Sequence, residues 1–129
     1  MYLIDTNILS HLIKGNPSVQ AKFVEMDEQI FLCSIVELET YYGAKKAQRQ
    51  DLIKSYNLIF QTYTSLPLGS KEVQKFTDLK VQLEKTGIVI DDFDLLIGSI
   101  ALTNDLILVT NNTKHFAKIP NLQLEDWSK

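Results

Sequence analysis

The sequence contains little cysteine, proline or glycine, no excess of basic charge and no long apolar run. Cys33 is the only cysteine, so an internal disulfide is excluded, and we expect its thiol to be a small buried apolar group in a reducing compartment. The longest apolar stretch, around residues 95–102, is shorter than the roughly 20 residues that a membrane-spanning helix needs. Met1 leads straight into an apolar segment with no basic lead and no cleavage-site pattern, which predicts no signal peptide. We therefore expect a cytoplasmic protein that does not associate with membranes.

The net charge of −3 argues at first against a nucleic-acid partner, because proteins that bind phosphates are usually basic. A cluster of acids in one metal site would change this conclusion, since a bound divalent cation reverses the local field. The basic residues are also grouped, in the segments Lys45–Arg49 and Lys114–Lys118, although a solvated helix face is the simpler interpretation of each group. Net charge therefore does not exclude a nucleic-acid substrate.

The chain has 129 residues, which fits one domain over 1–129, and its 45% hydrophobic and 22% charged content is ordinary for a globular protein. Short apolar runs predict strands over 1–4, 30–33, 63–68 and 106–109, with a last edge strand over 122–124. Apolar residues at helical spacing predict helices over about 8–13, 18–26, 34–47, 49–61, 70–85 and 93–102. Helices that alternate with strands apolar on both faces indicate an α/β protein, with a parallel sheet between helical layers.

Polar side chains follow two of the predicted strands at the point where each strand ends. The segment Asp5–Asn7 comes directly after the first strand, and Thr110–Asn112 follows the strand over 106–109. Ligands of open parallel sheets bind beyond the carboxyl ends of the strands, so these segments predict a binding crevice. Asp94 lies in the opening turn of a very apolar helix, where the helix dipole favours a charged carboxylate that is available to a cation.

Each of these acids also has a purely structural interpretation. Asp5 is explained equally well as the N-cap of the first helix and as a ligand. One of the acids at the start of the late apolar helix is expected to be an N-cap, and either Asp91 or Asp92 stands at the right place. Asp94 then lies inside the first turn, next to Leu95, which directs it toward the buried end of the helix. Asp94 is therefore the better candidate ligand.

Two glutamates in the middle of the chain can be separated by the same kind of argument. Ser34 and Glu37 have the spacing of a capping box, in which the serine caps the helix and the glutamate returns a hydrogen bond to the cap. Glu39 has no such explanation, and it lies one turn before Gly43, where a missing side chain leaves space beside it. We therefore assign Glu39 to the candidate site.

Carboxylates gathered at one crevice repel one another unless a cation neutralises them. Oxygen ligands without a set of histidines or cysteines indicate Mg²⁺ or Mn²⁺ rather than zinc, and such a cation suits phosphodiester hydrolysis. His11 and His115 are far apart in the sequence and lack the spacing of zinc ligands, so we expect surface or cap roles for both. The sequence has no glycine-rich phosphate loop and no serine or cysteine nucleophile elbow.

At these residues the sequence resembles the PIN-domain ribonucleases, and among them the VapC toxins of bacterial toxin–antitoxin pairs. Four segments carry the resemblance, in order and spacing along essentially the whole chain: Tyr2–Leu9, Glu39–Gly43, Asp92–Gly98 and Leu108–Phe116. Each segment alone is weakly specific, but the four together are a strong signal.

The resemblance implies a PIN-like fold, with a central, mostly parallel, twisted sheet flanked by helices on both faces. It also implies endonucleolytic cleavage of RNA, dependent on Mg²⁺ or Mn²⁺, with a structured RNA such as tRNA as substrate. The implied partners are a second copy of the chain, in a homodimer, and a small antitoxin that occludes the acidic crevice. Within the family pattern Asp5, Glu39 and Asp94 are the catalytic metal-binding acids, and Thr6 and Thr110 are polar support.

The fourth acidic position of many relatives corresponds to Asn112 in this sequence. An amide carries no charge, which leaves open whether one or two metals bind, and Asp92 is a supporting residue that would partly compensate. A PIN-like module that binds RNA or a protein without cutting is the main alternative. Two other classes fit the sequence poorly. A receiver-type signalling domain would need an acidic pair after the first strand and a lysine after a late strand, where this chain has Asp5–Asn7 and Thr110–Asn112. A haloacid-dehalogenase-like phosphatase would need an aspartate in place of Asn7.

Overall fold

Five short strands form one parallel sheet at the centre of the molecule, which a computed structural model describes over residues 1–129. The strands are β1 (Tyr2–Ile4), β2 (Ile30–Cys33), β3 (Thr64–Leu66), β4 (Ile107–Val109) and β5 (Leu124–Glu125). Their order across the sheet is β3-β2-β1-β4-β5, and every neighbouring pair is parallel. The α/β class predicted from the sequence is confirmed, and the sheet is parallel throughout.

Seven helices flank this sheet on both faces. They are α1 (Thr6–Ile13), α2 (Pro17–Glu25), α3 (Ser34–Lys46), α4 (Gln50–Thr62), α5 (Ser70–Lys85), α6 (Asp92–Thr103) and α7 (Thr113–Phe116), with a short 3-10 turn at Asp27–Gln29. The six predicted helices are all present, whereas α7 and the 3-10 turn have too few residues to show a period. None of the helices combines the length and the apolar character that crossing a membrane requires.

The central strands are buried on both faces, which explains why their sequences are continuous apolar runs rather than alternating patterns. Leu3, Leu32 and Leu108, one from each of the three central strands, are completely buried. Cys33 is also fully buried at the end of β2, as predicted. Trp127, after the last strand, packs edge-on against the ring of Tyr2 with 5.1 Å between ring centroids.

The order of the strands creates a crevice at one edge of the sheet. From β1 the chain steps outward through β2 to β3, and it then returns to place β4 on the other side of β1. Right-handed crossovers in opposite directions put α1–α4 and α5–α6 on opposite faces. The two layers therefore separate beyond the carboxyl ends of β1 and β4, which is where open α/β sheets bind ligands.

Candidate active site

Asp5 lies at the bottom of this crevice and is only 4% exposed. It directly follows β1 and caps α1, since its Oδ1 accepts a hydrogen bond of 2.8 Å from the backbone N–H of Thr6. Its Oδ2 accepts bonds from Nδ2 of Asn7 at 3.0 Å and from the hydroxyl of Thr110 at 2.8 Å. Asp5 is thus both a helix cap and a buried carboxylate of the crevice, so the two interpretations of this residue are compatible.

Asn7 joins the ends of β1 and β4, a role that the sequence did not single out. Its Nδ2 donates to Asp5, and its Oδ1 accepts a bond of 3.1 Å from the backbone N–H of Asn111. Thr110 continues the same network, because its hydroxyl oxygen accepts a bond of 3.0 Å from the backbone N–H of Asn112. The only signal for Asn7 was its place in the polar segment that follows β1.

Glu39 reaches the crevice from the second turn of α3, which begins immediately after β2. The hydroxyl of Thr6 donates a bond of 2.9 Å to its Oε1, so the start of α1 and the side of α3 are tied together at this carboxylate. Glu39 is half-buried. The structure therefore places Glu39 beside the segment that carries Asp5, as the assignment of Glu39 to the site requires.

Glu37 has a structural role, but the predicted capping box is wrong. Cys33 occupies the N-cap position of α3, and Ser34 is already the first residue of the helix. The Oε2 of Glu37 instead accepts a bond of 3.1 Å from the hydroxyl of Ser65 in β3. A strand that runs directly into a helix leaves no residue free to cap it, which the sequence spacing alone did not reveal.

Asp94 lies in the first turn of α6, and Asp91 is the N-cap, since its Oδ2 accepts a bond of 3.2 Å from the N–H of Phe93. The Oδ2 of Asp94 is 3.0 Å from Nε2 of His115, and both side chains are about three-quarters buried. The surface or cap role expected for His115 is therefore wrong. His115 reaches the crevice because the unpredicted helix α7 follows β4.

Asp92 does not take the place that the sequence suggested for a supporting acid, whereas Asn112 lies beside Thr110, which contacts Asp5. The Oδ1 of Asp92 is 2.8 Å from Nζ of Lys80, so this carboxylate is directed toward α5 and does not lie with the other acids. Asn112 is exposed at the start of α7 and brings an uncharged amide to the rim of the crevice. Compensation of Asn112 by Asp92 is therefore not supported.

The three remaining acids share one electrostatic environment. Burial raises the pKa of Asp5, against the hydrogen bonds that stabilise its charge. Burial also raises the pKa of Glu39, the bond from Thr6 opposes this, and the charges of Asp5 and Asp94 raise it further. The pKa of Asp94 is raised by burial and by the charge of Asp5. Burial likewise raises the pKa of the Cys33 thiol to about 11, with a smaller contribution from the nearby carboxylates.

The chemistry of these donors fits a hard divalent cation, although no three His, Cys, Asp or Glu side chains converge closely enough to form a ready-made metal site. All the candidate ligands are carboxylate oxygens, each of which can accept more than one partner. Neither Asp5 nor Glu39 forms a salt bridge with a basic side chain. A bound cation would therefore remove repulsion that no basic side chain offsets at Asp5 and Glu39.

This repulsion has a measurable consequence for stability, which the substitution Glu39→Gln isolates. Because the folded-state pKa of Glu39 is raised, protonation of this group stabilises the fold, fully so below its ordinary value of 4.5. That contribution is lost as the pH rises through the higher folded-state pKa. In urea unfolding with EDTA, the wild type should therefore lose stability relative to Glu39→Gln as the pH rises above about 4.5, the ordinary pKa. Added Mg²⁺ should reduce the loss, and a difference that is constant with pH would contradict this account.

A parallel five-stranded sheet with acids at its switch point defines an open α/β domain with a ligand-binding crevice, and residues 2–122 match the family described as "PIN domain". The chain therefore belongs to the PIN-domain family. Its relatives include Ribonuclease VapC2 of Rickettsia felis, which is 35% identical, with 100% of this chain and 99% of that protein covered. The tRNA(fMet)-specific endonuclease VapC of Shigella flexneri is 30% identical, with 98% of each covered.

Solved structures of VapBC complexes share the fold over almost the whole chain. The VapBC2 complex of Rickettsia felis, bound to a DNA fragment from its promoter, gives a TM-score of 0.90 at 32% identity, covering 98% of each chain. VapBC-1 of nontypeable Haemophilus influenzae gives a TM-score of 0.85 at 29% identity, covering 99% of this chain and 98% of that one. The predicted kinship with the VapC group is confirmed.

Proposed function

We propose that this chain is a single PIN-like nuclease domain over 1–129, which hydrolyses phosphodiester bonds of RNA with the help of a divalent metal ion. The observation that carries the proposal is that the three elements bearing Asp5, Glu39 and Asp94 border the switch point of the sheet, where the hydroxyl of Thr6 joins Glu39 to the start of α1. The charge of Asp5 raises the pKa of both Glu39 and Asp94, which supports the proximity of the three acids. The ribonuclease names of relatives that align over the full chain support the same reaction.

Asp5, Glu39 and Asp94 would hold the metal, with Mg²⁺ or Mn²⁺ favoured by oxygen-only ligands. When bound, such an ion activates a water molecule and offsets the charge that grows on the scissile phosphate. The chain contributes fixed positions for the ligands. The hydroxyls of Thr6 and Thr110 each donate to one carboxylate, which keeps its oxygens oriented.

We also propose that the chain acts as the toxin of a type II toxin–antitoxin pair, with a structured RNA such as tRNA as substrate. The VapBC complexes among the structural neighbours support a small antitoxin partner, which would occlude the acidic crevice. The name of the Shigella flexneri relative supports a tRNA substrate. A homodimer is the expected oligomeric state.

Withdrawal of the metal tests the nuclease directly. Purified protein should cut tRNA in Mg²⁺ or Mn²⁺. Cleavage should stop in EDTA and resume when excess metal is restored, because the proposed reaction needs a bound cation in addition to the carboxylates. Gel analysis of end-labelled RNA measures the rate, and circular dichroism in EDTA checks that the protein stays folded. Equal cleavage with and without EDTA would overturn the metal-dependent mechanism.

The exposed amide of Asn112 favours one second candidate, a PIN-like module that binds RNA or a protein without cutting it. This candidate predicts RNA binding in the same experiment, with no cleavage in either metal. The two functions are therefore separated by one set of reactions.

A further inference from the structure

An exposed apolar patch lies beside Glu39 at the mouth of the crevice. Leu38 and Tyr42 on α3 and Phe93 on α6 are 51%, 63% and 40% exposed, respectively. Together with Glu39 these three side chains line a cavity of about 480 Å³. This volume is in the range of about 300–1,000 Å³ that is common for small-ligand sites.

The two aromatic rings are placed by the same elements that place the acids. Tyr42 follows Glu39 by about one turn of α3, and Phe93 directly precedes Asp94 at the start of α6. An object held between the rings would therefore lie next to the carboxylates. The two helices are anchored in the core by other side chains, such as Val36 on α3 and Ile97 on α6, which are fully buried. The exposed rings are therefore not needed for packing of the core.

We propose that Tyr42 and Phe93 form a subsite that stacks one unpaired nucleobase of the RNA beside the phosphate to be cut. The proposal rests on the proposed ribonuclease function. Aromatic side chains bind bases of any sequence, since every base has a π-face. The Nζ of Lys46 lies over one face of the Tyr42 ring, 5.8 Å from its centroid, so a base stacked on the other face has a positive charge near its phosphate.

A second copy of the chain is a weaker occupant for this patch. A stable protein interface buries about 800 Å² and roughly 20–30 residues on each partner. Only four residues line this cavity, three of them apolar, which is much less than such an interface needs. An apolar partner surface would also remove water from Glu39 without supplying a counter-charge, which is costly. A base leaves the carboxylate open to the metal and to the phosphate.

The subsite determines the form of RNA that the crevice accepts. A base can lie between two side chains only when it is unpaired and unstacked, as in loops, bulges and single strands. Paired regions of the same RNA would leave Tyr42 and Phe93 without a partner. We therefore expect cuts next to unpaired nucleotides.

Binding in EDTA, where the proposed reaction stops, tests the subsite separately from catalysis. The probe is a single-stranded trinucleotide in which 2-aminopurine stands between two uridines, so that one central base can be followed. Binding to wild type should quench its fluorescence, and Tyr42→Leu or Phe93→Leu should weaken binding by about tenfold and abolish the quenching. Tyr42→Phe, which keeps the ring, should bind like wild type, and so should Val81→Ala, an exposed apolar control on α5.

An abasic residue at the quenched position provides a second measurement that a general loss of folding would not reproduce. It should weaken binding to wild type but have no further effect on Tyr42→Leu, because the ring has already lost its partner. Unchanged affinity and quenching in both leucine variants would overturn the subsite, whether or not wild type cuts RNA. Conversion of a dimer to monomers in these variants, seen by sedimentation, would assign the patch to a second copy and also overturn it. Ring-dependent binding by a protein that cuts no RNA in either metal would support the subsite while refuting the proposed function.

Discussion

Replacing Asp94 with asparagine is expected to lower the rate of RNA cleavage by at least about 10²-fold, the usual loss when one electrostatic group is removed from an active site. The amide has nearly the same size as the carboxylate and keeps an oxygen acceptor, but it carries no charge to bind a cation. If cleavage is the source of toxicity, the growth arrest expected on expression of wild type should disappear with the same change. Rates on tRNA and growth curves measure the two effects.

Asp92→Asn is a matched control for this substitution. Asp92 belongs to the same helical turn, but its carboxylate pairs with Lys80 at the surface. Because an exposed salt bridge of this kind contributes only about 0–1 kcal/mol, the variant should stay folded and cut RNA at close to the wild-type rate. A loss of activity as large as that of Asp94→Asn would show that Asp92 belongs to the site.

Asp5→Asn should also abolish cleavage, although it is a less clean test. Both oxygens of Asp5 accept hydrogen bonds, from Thr6 on one side and from Asn7 and Thr110 on the other. The amide of asparagine has only one oxygen, so the donors on one side of residue 5 would face an NH₂ group instead of an acceptor. This substitution can therefore lower stability, and thermal unfolding must be measured beside the assay. Cleavage that survives both Asp5→Asn and Asp94→Asn would remove the acid cluster from the mechanism.

The RNA substrate can be identified by mapping the RNA ends that appear in cells after a short pulse of expression. Ends that appear with wild type and not with Asp94→Asn mark the sites of cleavage.

The sequence predicted the fold well because its central strands are buried on both faces. The runs at 2–4, 30–33 and 107–109 are unbroken and apolar, so each stands out from the periodic helical segments around it. The same argument fails for α7, which has four residues and no repeat. It also fails at the edge strand β5, whose two residues lie at 124–125, while the apolar pattern suggested 122–124.

The candidate site was predictable where a residue directly follows a strand, and less so where helices bring distant residues together. Asp5 and Thr110 follow β1 and β4, which pair in parallel. This pairing brings the hydroxyl of Thr110 within 2.8 Å of Oδ2 of Asp5. The contact of His115 with Asp94 depends on how α7 packs against the start of α6, and no local pattern encodes that packing. Asp92 and Asp94 lie in the same helical turn and point to different sides of the helix. The sequence does not show which of the two faces the crevice, because this depends on the packing of α5, whose Lys80 pairs with Asp92.

Glu39→Gln is the second substitution with a large expected effect, and Glu37→Gln is its matched partner on the same helix. Glutamine keeps the acceptor for the hydroxyl of Thr6, so α1 and α3 should remain joined, but the charge that a metal needs is lost. We expect cleavage to fall by about 10²-fold in Glu39→Gln. The fold should be no less stable in EDTA, because the removed charge is repelled by Asp5 and Asp94.

Glu37→Gln should give the opposite pattern. Its side chain accepts a hydrogen bond from Ser65 in β3, and the amide oxygen of glutamine can still accept that bond. We expect a loss of at most about 1 kcal/mol in the free energy of unfolding, the usual worth of one hydrogen bond. Cleavage should stay close to the wild-type rate, because the hydrogen bond of Glu37 goes to β3 and not to any of the three acids. Measured rates and urea unfolding curves for the two variants decide the assignment, because an inactive Glu37→Gln beside an active Glu39→Gln would show that the wrong glutamate was placed in the crevice.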